Sequence, residues 1–139
     1  MKQALDAKDL KIVELLKKDA RLSVRKLAKL TGLKPSTVHV RIQKLLKEKI
    51  VEYSVKVSSD ALNENFVGFV FISTDKELEK ETFSDSKIKE VFSITGEYDT
   101  LVKARCRDSA DFNSLVSKLK SKPGIKKMLT NVAMGTIKE

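Results

Sequence analysis

Apolar positions return every three or four residues through the first fifty residues of the chain and then change to strict alternation, and that change divides the molecule. The first block, Leu10, Val13 and Leu16 with Ile12 beside them, predicts the buried stripe of a helix running to about Lys18. Asp6 is placed to cap it, with Asp9 at the third helical position and Leu5 and Leu10 at the two positions of a hydrophobic staple. A shorter helix repeats the device, with Ser23 as cap and Leu22 and Leu27 as staple, and ends near Thr31, where Gly32 suits a left-handed terminus. Pro35 then fits the first turn of a third helix, whose Val38, Ile42, Leu45 and Leu46 share one face. Three helices in about 45 residues, the last two joined by a tight turn containing glycine, is the pattern of a helix-turn-helix.

Beyond Lys49 the period becomes two. Val51, Tyr53, Val55 and Val57 alternate with Glu52, Ser54 and Lys56, which predicts a half-buried strand serving as a wing or an interdomain connection. The polar stretch 58–65 reads as a linker. After it come the doubly apolar strand "FVGFVFIST", a charged helix around Lys76–Phe83, a strand Lys89–Thr95, the turn "GEYD" and a strand Thr100–Arg107. Asp108 or Ser109 can cap a helix with the stripe Phe112, Leu115, Val116 and Leu119, "KPG" at 122–124 stops it, and a last strand covers Ile125–Ile137. The order is strand–helix–strand twice, a ferredoxin-like βαββαβ pattern, so the fold class is α+β. The expected division is a helix-turn-helix domain at 1–50, a strand and linker at 51–65, and a ferredoxin-like domain at 66–139. Right-handed crossovers put both helices of the second domain on one sheet face. Because Val67, Phe69 and Phe71 leave the other face apolar too, a second subunit is the expected cover, with folding back of the amino-terminal helices as the alternative.

Charge sharpens the division. Residues 1–57 hold 15 Lys or Arg against 6 Asp or Glu, whereas residues 58–139 hold 13 of each, so the first part carries the whole net charge of +9. A basic module for a polyanion joined to a neutral module with another task is the natural reading. Around the third helix, the face opposite its apolar stripe presents Ser36, Thr37, Val40, Gln43, Lys44 and Lys47, with His39 and Arg41 on the flanks. Hydroxyls and an amide can read base edges, Val40 can meet a thymine methyl, and cations neutralise phosphates, which suits a helix entering the major groove of double-stranded DNA. Lys34, Arg41, Lys44 and Lys47, helped by Arg25 and Lys29 from the second helix, are the expected phosphate contacts. Ser36, Thr37, Val40 and Gln43, with His39 at the edge, are the expected readers. The bland alternative is the solvated face of a core helix, and for His39 a bystander on the surface.

One cysteine and one histidine exclude an intrachain disulfide and a zinc cluster, and no cofactor motif presents itself. The longest apolar run, Phe66–Ile72, is too short to span a bilayer, and the first residues lack a signal core, so a cytoplasmic protein is expected. Cys106 falls in phase with Val102 and Ala104, the position of an inert core thiol. Paired carboxylates and nucleophile motifs do not emerge, which argues against an enzyme.

With these pieces in order, the chain resembles the leucine-responsive/asparagine-regulator (Lrp/AsnC) family of prokaryotic transcription regulators. The residues carrying the resemblance are "LDAKDLKIVELLKKDARLSVRKLAKLTGL" and "STVHVRIQKL" in the first part, and "TGEYD" (95–99) and "PGI" (123–125) in the second. It implies a winged or near-winged helix-turn-helix joined by a strand to an effector-sensing domain. Members form dimers and often octamers, bind DNA as dimers and frequently respond to amino acids. The helix from Pro35 to about Lys47 would then be the recognition helix, and Gly96, Glu97, Tyr98 and Asp99 would lie at the effector pocket, where Asp99 can hold an α-ammonium. The same turn also reads as an ordinary hairpin connection. Two departures stand out. Lys34 occupies the place of a small polar helix cap, and Glu48-Lys49-Ile50 stands where the family commonly has a glycine, offering no residue suited to positive φ. Two other classes compete with a sequence-specific regulator. One is a nucleoid-type architectural protein with weak sequence preference, and the other is an enzyme, since some haem-pathway decarboxylases resemble this family.

Overall fold

The computed structural model describes residues 4–138, which divide into two units between Lys56 and Val57. The first holds three helices, α1 (Ala7–Lys18), α2 (Val24–Thr31) and α3 (Pro35–Lys47). Asp6 caps α1 in a capping box: the Asp9 N–H donates to Asp6 Oδ1 at 2.8 Å and the Asp6 N–H to Asp9 Oδ2 at 3.3 Å. Such a cap contributes about 1 kcal/mol. Ser23 caps α2, and Gly32 ends it at φ 69°. Lys34 gives α3 no side-chain cap, and Pro35 at the first helical position removes one of the N–H groups that would otherwise lack a helical partner.

Ile12, Leu16, Leu27, Ala28, Val38, Ile42 and Leu45 close a core of their own, flanked by Leu22, Leu33, Leu46 and Ile50. Leu10 is not part of it; 49% of its surface stays exposed. The buried side of α1 runs through Asp9, Ile12 and Leu16, and Leu10 lies about 100° round the helix from Asp9.

The end of α3 corrects a second expectation. Lys49 itself adopts the left-handed conformation, φ 53°. The Ile50 N–H donates to the Leu45 carbonyl at 2.9 Å and the Lys49 N–H to the Leu46 carbonyl at 3.1 Å, while Ile50 packs on the core. This is a Schellman closure with lysine where glycine is usual. Two hydrogen bonds and a half-buried isoleucine outweigh a backbone preference of about 1–2 kcal/mol.

The strand expected at 51–57 does not form: residues 51–58 have no regular structure, and Tyr53, Val55 and Val57 are exposed. A strand needs a neighbour to take its hydrogen bonds, and among the described residues no strand pairs with that segment. Within the stretch read as linker, α4 (Ser59–Leu62) makes a single turn closed by Asn63 at φ 54°.

In the second unit, β1 (Phe66–Thr74), β2 (Ile88–Ser93), β3 (Thr100–Cys106) and β4 (Ile125–Val132) form one antiparallel sheet in the order β2-β3-β1-β4. Helix α5 (Ser109–Lys120) covers one face with Phe112, Leu115 and Leu119 against Val70, Ile72, Val102, Ala104 and Cys106. The first crossover holds only a 3₁₀ turn, Lys80–Phe83, not a second covering helix. Its apolar residues are Leu78 and Phe83, five apart, so a longer helix would have no stripe to bury; Phe83 alone reaches the core. Strand β4 stops at Val132 rather than Ile137 because its ladder reaches the start of β1, with a last bond from the Ala133 N–H to the Val67 carbonyl at 2.9 Å.

Opposite α5 the register aligns Phe92, Leu101, Phe71 and Leu129 in one row across all four strands. Phe92 and Leu129 are each 46% exposed. No helix of the second unit lies over this row. Among the described residues, no helix is long and apolar enough to cross a membrane.

Candidate nucleic-acid interface

Helix α3 buries Val38, Ile42 and Leu45 and turns its other side outward. Ser36, His39, Val40, Gln43 and Lys47 are exposed, Val40 by 66%, while Thr37 and Lys44 are half-buried. An apolar side chain so open on a charged helix contributes nothing to this unit's core. Ser36, Thr37, Val40 and Lys44 line a groove whose other side is the start of α1. A second concavity brings Arg25, Lys26 and Lys29 of α2 beside Gly32, Leu33 and Pro35 at the turn. The structure therefore gathers Ser36, Thr37, Val40 and Lys44 at one groove and Arg25 and Lys29 at another, while Lys34, His39, Gln43 and Lys47 are exposed outside both. The turn is held from within: the Thr31 hydroxyl donates to the Leu27 carbonyl at 2.7 Å, and Lys8 Nζ donates to the Thr31 carbonyl at 2.7 Å, a cation at the negative end of α2.

Arg41, read in the sequence as a phosphate contact, is engaged within the unit. Its Nη1 donates to Asp6 Oδ2 at 2.6 Å and to Asp9 Oδ1 at 2.7 Å, and its side chain is 27% exposed. The Asp9 backbone N–H, and then the Arg41 guanidinium, hold the Asp6 carboxyl below its ordinary range, and the acids raise Arg41 in turn. Nothing local in the sequence announces this, because the partners lie 35 and 32 residues apart. The available signal was the pair of acids in the first turn of α1, in a part of the chain where acids are scarce.

The "GEYD" turn joins β2 to β3. Gly96 takes φ 121°, a conformation open chiefly to glycine. Tyr98 meets the edge of Phe71 with ring centroids 5.9 Å apart, and Lys127, paired with Glu97, lies over the Tyr98 ring. Asp99 works inside the turn. Its Oδ2 accepts from the Thr74 N–H at 2.8 Å and the Thr74 hydroxyl at 3.0 Å, and its Oδ1 accepts from the Thr100 hydroxyl at 2.9 Å. These donors, the Thr74 backbone first, hold its carboxyl low. Three of the carboxylate's roughly four acceptor sites are already used, which leaves an α-ammonium at most one on Oδ1. Thr74 and Lys127, which shape this corner, were not singled out in the sequence, since their partners are 25 and 30 residues away.

Cys106 is buried beneath α5, and desolvation pushes its thiol up, away from the reactive thiolate.

Residues 5–46 match the family model of the AsnC-type helix-turn-helix domain, and residues 69–139 match that of the Lrp/AsnC ligand binding domain. The HTH-type transcriptional regulator FL11 of Pyrococcus abyssi is 33% identical over 100% of this chain and 95% of its own length. The protein of the same name from Pyrococcus furiosus is 31% identical over the same shares. Among solved structures, a transcriptional regulator of Neisseria meningitidis in complex with L-methionine superposes with a TM-score of 0.86 at 26% identity, covering 98% of this chain and 94% of that one. LrpC of Bacillus subtilis gives 0.80 at 26% identity over 98% and 99%.

Proposed function

This chain belongs to the Lrp/AsnC family, whose members are transcription regulators rather than enzymes, and from that premise we propose how its own residues act. Helix α3 enters the major groove. Ser36, Thr37, Val40 and Gln43, with His39 at the edge, read bases, while Lys34, Lys44 and Lys47, with Arg25 and Lys29, neutralise phosphates. The observation that carries this is Val40, 66% exposed between hydroxyls, an amide and lysines on the one helix face the core leaves unused. The protein works in the cytoplasm as a dimer. A second copy covers the row Phe92, Leu101, Phe71 and Leu129 and brings two α3 helices to half-sites about 34 Å apart, or a multiple of that.

Selection of duplexes from a random pool tests the reading. An enriched palindrome is the expected result, and enrichment of bendable sequence without a palindrome would make the protein architectural instead. Lys47→Ala should weaken binding to every duplex and flatten the salt dependence by about one unit, whereas Gln43→Ala should change the preference at one base pair. Equal losses on selected and random DNA for every α3 variant would refute base reading.

The neighbour solved with L-methionine supports an amino-acid effector for the second unit, and our candidate for its site is the turn Gly96–Asp99. Since the Asp99 carboxylate is already engaged, backbone groups of the turn and a partner subunit are the expected holders. A thermal-shift screen over the twenty amino acids should return one or a few that raise the midpoint, and a flat screen would remove the effector.

A further inference from the structure

Resting on the DNA-reading role of α3, we infer that Arg41 is a positioning residue that locks the recognition helix onto the amino-terminal end of α1, and is not one of the phosphate contacts. The sharing of oxygens is complete. In the capping box, Asp6 Oδ1 and Asp9 Oδ2 each accept a backbone N–H; the remaining oxygens, Asp6 Oδ2 and Asp9 Oδ1, both receive Arg41 Nη1. A single guanidinium thus joins two like-charged carboxylates three residues apart, and relieves the repulsion the box would otherwise carry. Asp9 is almost fully buried, with 5% of its side chain exposed, so the ion pair on its side is sheltered from solvent and salt.

The position of the lock gives it consequence. Asp6 and Asp9 form one wall of the groove whose other wall is Ser36, Thr37, Val40 and Lys44. Arg41 follows Val40 directly, so the angle at which α3 presents its readers is tied to the end of α1. Arg41 Nη1 is taken up by the two carboxylates at 2.6 and 2.7 Å, and their two negative charges offset the guanidinium's pull on a phosphate. Displacing either acid would expose a carboxylate beside the polyanion, which a phosphate contact should not do.

Asp6→Ser separates the two roles. Serine caps a helix as well as aspartate does, so α1 keeps its start, but its hydroxyl is too short to reach Arg41. The variant also removes a negative charge beside the DNA and leaves the Arg41 charge in place. Binding to a duplex selected by the wild type, and to sheared mixed-sequence DNA, is measured across salt concentrations at low temperature, with circular dichroism as the check on folding. The lock predicts that preference for the selected duplex falls about tenfold while the salt slope on mixed DNA does not become shallower. Arg41→Lys, which keeps the charge and loses the geometry that holds both acids, should lower the preference in the same way without changing the slope.

Two outcomes overturn the inference: Asp6→Ser binding both DNAs more tightly with unchanged preference, or Arg41→Met flattening the salt slope by about one unit with preference intact, as a phosphate contact requires. A wild type that selects no duplex at all would instead overturn the DNA-reading role beneath it.

Discussion

The two units of this chain bury their apolar residues by different arrangements. The helical unit closes its core internally: Ile12, Leu27, Val38 and Leu45 are all but inaccessible, and the surface left over is basic. The sheet unit is closed on one side only. Beneath α5 its core is as tight, yet the opposite face carries an apolar row across four strands, and its charges balance to zero. A module that must meet a polyanion can be finished alone, because its partner is met through charge and hydrogen bonds. A module with an apolar face is finished only by a second surface, and this contrast suits a reader joined to a pairing device.

The sharpest way to break the comparison is to charge the open row. Phe92→Glu with Leu129→Glu replaces side chains each nearly half exposed in the single chain, so the fold should survive. Light scattering should show the mass fall to that of one chain, and DNA affinity should drop on the order of a hundredfold as two-site binding is lost. An unchanged mass would mean the row is not where copies meet. The covered side should respond through stability instead. A Cβ on Gly68 would lie 2.2–2.7 Å from the Phe112 ring, so Gly68→Ala should destabilise the sheet unit by about 1–3 kcal/mol in urea unfolding.

Acid should act on both units, because each holds carboxyls below their ordinary range: Asp6 in the first, and Asp85, Asp99 and Asp111 in the second. A depressed folded pKa contributes stability above the unfolded value near ~3.9 and loses it as pH falls through the folded value. The midpoint of thermal unfolding should therefore hold from pH 7 to about 5 and fall steeply below about 4. With three of the four acids, the sheet unit is expected to lose more. The smallest effect belongs to the helical unit: Lys49→Gly relieves the left-handed residue and should stabilise it by up to about 1 kcal/mol.

What could be read from the sequence follows the range of the interactions. Helix starts were legible because a cap and the N–H groups it serves lie within three residues of one another, as at Asp6 and Ser23. The sheet was legible because the apolar run of β1 and the two-residue phase of Val102, Ala104 and Cys106 in β3 are local, and the crossing pattern then follows from chirality. The misreadings lie where tertiary partners decide. Val51–Val57 alternates faithfully and still forms no strand, because alternation says which face is apolar and not whether a neighbour exists. Lys76–Phe83 has helix formers but no stripe, and only one turn of it coils. On α3, which residues face outward was legible from the 3.6-residue period. The engagement of Arg41 was not, because its acids sit at the far end of the unit's sequence, and Asp99 is likewise fixed by Thr74 on another strand.

Cys106 offers a direct readout of the sheet unit's opening. It is the chain's single thiol, and it lies under the packed helix with 1% of its surface accessible. Alkylating reagents can modify it only in molecules that have transiently opened, so the labelling rate under native conditions reports how often that half of the protein comes apart. Followed by mass spectrometry, one endogenous sulfur would serve as a built-in clock, telling an experimenter whether a bound ligand or a second copy slows the opening without any probe being introduced.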